Sequence, residues 1–145
     1  MSGAALAAAD AATAETLGEV LAAIGEQEEA FAERFYEIFL AACPDASKLF
    51  GAFAFAEQEA MFREVLRSLL AWVDGEDWLA GNLEALGRSH LEYGVEPAMF
   101  DAFVDAAVAC ARERLPELLD DAHAAALEAG ARAITAPMRE AVAAG

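Results

Sequence analysis

The chain has 145 residues, 26 of them acidic against 9 basic, for a formal net charge of −17. A surface this negative repels phosphate backbones and anionic lipid, which argues against nucleic acid and membrane surfaces as partners. No run of 18 apolar residues lacks a charge, so no segment is expected to span a bilayer.

This length suits one domain, with a tail expected to be flexible over residues 1–9 and the domain itself over 10–145. Such a domain buries roughly 68–70% of its unfolded surface, enough to enclose a pocket. Two isolated cysteines, Cys43 and Cys110, are not a disulfide framework and offer no paired metal or redox motif. No basic segment precedes the apolar N-terminal stretch, so a secretory signal is not expected and a cytoplasmic location is.

In chain order, every long segment repeats its apolar residues at helical spacing, and none alternates as a strand would. Asp10 is placed to cap a first helix ending near Ile24, with Gly25 as the break. A second helix is expected from about Glu26 to Ala41, with Phe31, Phe35, Ile38 and Phe39 on its apolar face. Pro44 suits the first turn of a short helix to Leu49, and Phe50-Gly51 reads as a corner. A long helix follows over about 52–73. After the turn at residues 74–77 comes a helix bearing Trp78, Leu79, Leu83, Leu86 and His90. Residues 93–97 form a linker, and Pro97 opens a helix to about Leu115. The last helix covers about 121–143, with Pro137 expected to kink it or end its regular part. The fold class is all-α, and helical period alone does not separate a bundle from other helical packings.

Few residues can carry chemistry. His90 shares one helix side with Leu83 and Leu86. It is either a core histidine bonded to a carbonyl, or an axial ligand to haem iron whose other nitrogen donates to a carbonyl near Leu86 or to Ser89. His123, beside Asp120 and Asp121, reads as solvated. Tyr36 sits among Phe31, Phe35 and Phe39, where a buried phenol normally finds an acceptor. Gln58 lies between two glutamates. No Ser/His/Asp order, phosphate loop or HExxH motif is present.

Together, Phe35-Tyr36, Cys43-Pro44, Leu49-Phe50, Gln58 with Met61-Phe62, Leu86 to His90, and Tyr93 to Pro97 with Phe100 resemble bacterial single-domain globins related to the haem domain of flavohaemoglobins. The spacing is specific: His90 follows Gln58 by thirty-two residues and Phe50 follows Tyr36 by fourteen. The resemblance implies a three-over-three helical sandwich around haem b. It makes His90 the proximal iron ligand, with Tyr36 and Gln58 on the distal side. A one-residue shift in register would put Glu57 there instead. Phe50, Phe62, Leu86, Val95, Phe100 and Phe103 would pack on the macrocycle, and Arg63 and Arg88 would meet its propionates. The implied partner is a diatomic gas (O2, NO or CO), bound by a monomer or homodimer.

The alternative is nitric oxide dioxygenase or peroxidase-like turnover, which would need an external reductase. Flavohaemoglobins place a Tyr and a Glu to bond the proximal histidine. The matching positions here are Phe100 and Val142, with Glu140 out of register, which argues for modest turnover. Leu127 and Ala131 stand where related globins often carry a Trp and a Tyr.

Overall fold

The structure, a computed structural model, describes residues 6–50 and 54–145. Among them are six α-helices and one 3-10 helix, and no strand. The α-helices are α1 (Ala11–Gly25), α2 (Glu28–Ala42), α3 (Ala54–Asp74), α4 (Leu79–Tyr93), α5 (Pro97–Arg114) and α6 (Asp121–Ala144). The 3-10 helix, Pro44–Leu49, joins α2 to the segment before α3. The corner expected at Phe50-Gly51 lies partly outside the described residues, as do the first residues of the long helix expected from 52.

Local chemistry sets the helix ends. Asp10 Oδ1 accepts from the Thr13 N–H at 2.7 Å, filling one of the four orphan donors that open α1. Asp120 Oδ1 does the same for the His123 N–H of α6 at 2.8 Å. Pro97 stands in the first turn of α5, where no intrahelical N–H is needed. Gly94 ends α4 at φ 90°, a conformation that penalises any side chain, and the next N–H, of Val95, bonds the His90 carbonyl at 3.0 Å.

Packing follows the apolar stripes. Leu17, Val20, Leu21 and Ile24 bury one face of α1, and Phe31, Phe35, Tyr36 and Phe39 one face of α2. Phe35 is the hub of the aromatic core, 4.9 Å from Phe103 and 5.8 Å from Phe62 between ring centroids. A fully buried leucine such as Leu83 contributes about 1.5–3 kcal/mol. α6 packs against α1, α3, α4 and α5, whereas α3 and α4 meet only sparsely. That sparse contact leaves a slot between them.

One expectation changes, that for His123, and two further features bear on the chain's ends. Pro137 does not end the last helix, because α6 runs on to Ala144. It removes one backbone donor, but the segment beyond it is held against α4 by Gly87, which packs on Met138 and Ala141. Near the N-terminus, Trp72 Nε1 donates to the Ala7 carbonyl at 2.7 Å, and Leu6 and Ala9 pack against the core. His123 is a tie rather than a solvated side chain. Its ring is 15% exposed, with Nδ1 2.7 Å from Asp120 Oδ1 and Nε2 2.9 Å from Glu19 Oε2. Both cysteines are free. Cys110 is fully buried, and burial pushes its thiol up to about 12, so it acts as a small apolar residue.

The His123 tie has a pH signature. Hydrogen bonds to Asp120 first and Glu19 second raise its imidazole above the ordinary value. A raised folded value means the stabilisation is complete below the unfolded value of about 6.5 and is lost as pH rises through the folded one. Between about pH 6 and about pH 9, the thermal midpoint is expected to fall more for the native chain than for His123→Gln. Parallel curves would show that the tie adds nothing.

Candidate functional site

The slot holds a cavity of about 320 Å³, walled almost wholly by apolar side chains. α4 contributes Leu86 and His90, and the turn after it Val95. α5 contributes Met99, Phe100 and Phe103, and α6 contributes Ile134, Thr135 and Met138. The opposite wall is Ala60, Met61, Glu64, Val65 and Ser68 of α3. Phe39, Ala46, Leu49 and Phe50 close the end near the 3-10 helix. The volume lies within the range of small-molecule sites.

His90 is the cavity's only imidazole, and its two nitrogens are in different states. Nδ1 lies 2.6 Å from the Leu86 carbonyl one turn earlier. A carbonyl only accepts, so Nδ1 carries a proton, and in the neutral ring that leaves Nε2 its lone pair. No described residue bonds Nε2. The ring packs 5.8 Å from Phe100, at 45°. Leu79, Leu83 and Gly87 bury the same helix and hold it in place. Among the described residues, no group of three His, Cys, Asp or Glu side chains could hold a metal ion. A metal at His90 would therefore draw fewer than three ligands from side chains of these types.

Six of the eleven residues singled out in the sequence meet here: Phe50, Leu86, His90, Val95, Phe100 and Phe103. The other five do not reach the wall. Phe62 is in the core against Phe31 and Phe35, at 5.7 and 5.8 Å. The reason is helical phase: Met61 and Val65, one turn apart, take the cavity stripe and turn Phe62 towards α2. Arg63 is exposed beside Glu59 and faces a different groove, shared with Leu66, Leu70 and Trp78. Arg88 is exposed on α4, off the wall.

Gln58 is half-buried and also off the wall. Extending the stripe of Met61, Val65 and Ser68 one turn towards the N-terminus of α3 meets position 57 rather than 58. Glu57 itself is exposed.

Tyr36 is one ring behind the wall. It is 2% exposed and meets the two wall residues Phe50 and Phe39 edge to face, at 6.0 and 6.5 Å. Burial pushes its phenol above the ordinary range, so it stays protonated. Its hydroxyl is buried and has no hydrogen-bond partner among the described residues. Such an orphan costs about 1–3 kcal/mol, which a polar ligand taking the hydrogen bond would offset.

Sequence reading missed Ser68 and Thr135, buried hydroxyl-bearing residues on the wall. Thr135 Oγ1 donates to the Ala131 carbonyl at 2.8 Å, which keeps its proton out of the cavity. The four-residue spacing of Ile134 and Met138 was readable, but nothing local said that their stripe meets a cavity rather than a helix.

No curated protein matches the chain. Among solved structures it is similar to the hemoglobin of the shortfin mako, Isurus oxyrinchus, at 20% identity and a TM-score of 0.74, covering 90% of this chain and 96% of that one. That likeness shows the fold, which is the all-helical globin fold. The family profile described as Globin matches residues 33–138, nearly three quarters of the sequence and the whole of the cavity wall, and the chain belongs to the globin family.

Proposed function

We propose that the slot holds haem b, that His90 Nε2 is its one protein ligand to iron, and that the protein reversibly binds a diatomic gas such as O2, NO or CO. The observation that carries this is the His90 arrangement: a single imidazole in an apolar cavity, its tautomer set by the Leu86 carbonyl so that Nε2 keeps its lone pair. Family membership and the hemoglobin-like fold support it. The residues fit the group. Leu86, Val95, Phe100, Phe103 and Phe50 offer the apolar walls that a flat macrocycle needs, and an exposed arginine, Arg88, lies two residues before His90 for a propionate.

Haem iron would supply the gas-binding position. The chain's own part is to bind the macrocycle, exclude water and orient the imidazole. The Tyr36 hydroxyl, unpartnered among the described residues, is the donor we assign to a polar ligand, which it reaches once the Phe39 and Phe50 rings in front of it shift. Position 57 or 58 on α3 supplies the second distal side chain, and helical phase favours Glu57 over Gln58.

The alternative, nitric oxide dioxygenase or peroxidase-like turnover with an external reductase, is less favoured. His90 Nδ1 faces a backbone carbonyl rather than a carboxylate, and its ring neighbour is Phe100. A carbonyl makes the imidazole less electron-donating than an anion would. The cytoplasm is the location we assign, and among the described residues no helix is long and apolar enough to cross a membrane.

The test is spectroscopic. Purified protein titrated with hemin is expected to develop one saturable near-ultraviolet haem band at one equivalent, and to change spectrum reversibly with O2 or CO after reduction. Colourless protein that fails to take up hemin would end this reading.

A further inference from the structure

Gly87 is buried where α4 crosses α6. A Cβ built on it would lie 2.9 Å from the Ala141 Cβ and 3.0 Å from the Met138 Cα. Neither neighbour can swing aside, because one is a short methyl and the other is backbone. The helices themselves would have to part. Backbone conformation does not explain this glycine, since only Gly75 and Gly94 among the described glycines have positive φ. Helix propensity does not explain it either, because glycine is the poorest interior helix residue after proline. Close approach of the two helices does.

That approach bears on His90. The imidazole is anchored by Nδ1 to the Leu86 carbonyl, the residue next to Gly87, so the ring moves with this turn of backbone. Met138, which Gly87 touches, is itself part of the cavity wall. The depth of the α4–α6 crossing therefore sets how far the imidazole reaches across from α6's side of the slot.

We propose that Gly87 is a positioning residue: its missing side chain lets α4 seat on Met138 and Ala141, and this seating sets the reach of His90 into the cavity and the strength of its bond to iron. The proposal rests on the haem reading given above.

The test compares Gly87→Ala with Gly81→Ala on the same helix, where an added Cβ meets nothing within 4 Å. The readouts are the iron–histidine stretching band of the reduced, haem-loaded protein and the rate of haem loss to a scavenging apoprotein. Gly87→Ala is expected to shift the band and speed haem loss by about tenfold. Gly81→Ala should leave both unchanged. Adding Ala141→Gly to Gly87→Ala removes the closer of the two contacts and should bring the band part of the way back.

If Gly87→Ala does not fold, the double variant takes its place and should show a smaller shift away from the native band. A native-like band in whichever of these folds, even with a lowered melting temperature, would make Gly87 structural only and overturn the proposal. Failure of the native chain to take up hemin overturns the haem reading instead, so the two failures are distinguishable.

Discussion

His90→Ala is expected to abolish stable haem uptake while leaving the apoprotein folded. The two halves of this expectation have separate physical causes. The variant removes the one imidazole on the cavity wall, and no cluster of other ligand-type side chains stands among the described residues to replace it. The backbone loses little. His90 is half-buried, and the Leu86 carbonyl that its ring engages is also within reach of the helix's own N–H at position 90. The apoprotein's unfolding free energy should therefore change by no more than about 1–2 kcal/mol. Hemin titration and thermal melts check the two halves independently. Imidazole added in solution should restore part of the haem band by filling the vacated position. An unchanged, saturable band in the variant would show that iron is held elsewhere, and an unfolded apoprotein would show that His90 is a core residue.

Tyr36→Phe is expected to have opposite effects on the free and haem-loaded protein. In the apoprotein it removes a buried hydroxyl without a partner among the described residues and keeps the ring that packs on Phe35, Phe39 and Phe50. Stability should rise by about 1 kcal/mol, a shift in melting temperature of roughly 2–4 °C for a chain of this size. In the haem-loaded protein it removes the donor assigned to a polar ligand. A hydrogen bond of about 1.5–3 kcal/mol there corresponds to oxygen release roughly ten to a hundred times faster. Flash photolysis or stopped-flow measurement gives that rate. A native release rate would take Tyr36 out of ligand binding. A fall in apoprotein stability would show that the hydroxyl has a partner after all. Comparing Glu57→Gln with Gln58→Leu in the same assay assigns the second distal position: the larger change belongs to the residue on the Met61–Val65 stripe if helical phase decides.

Much of the framework is legible in the amino-acid order. Asp10, Pro44 and Pro97 mark their helix ends because each acts on the backbone within one turn, through a cap or a fixed φ. His90 was readable as the chain's only histidine on a leucine stripe, and its Nδ1 bond to the Leu86 carbonyl is likewise a one-turn interaction. Phe50, Leu86, Val95, Phe100 and Phe103, which the order of the motifs singles out, line the cavity.

What failed did so for one physical reason. An amphipathic helix states that it has an apolar face, but not which neighbour that face meets. Phe62 and Met61 are adjacent and both apolar, yet a rotation of about 100° per residue sends one to the α2 core and the other to the slot. The same rotation took Gln58 and Arg63 off the wall, and it put the buried Ser68 and Thr135 on it. His123 was misjudged because one of its partners, Glu19, lies on a helix far away in the chain. The close seating of Gly87 on Met138 and Ala141 was unreadable for the same cause. Most helix limits and the imidazole's Nδ1 bond depend on atoms a turn apart, so amino-acid order settles them; the run of α6 past Pro137, which packing on α4 supports, is the exception. Which faces line the slot, and which polar groups are left unpaired there, depends on the azimuth and separation of helices distant in the chain, and only their packing together settles that.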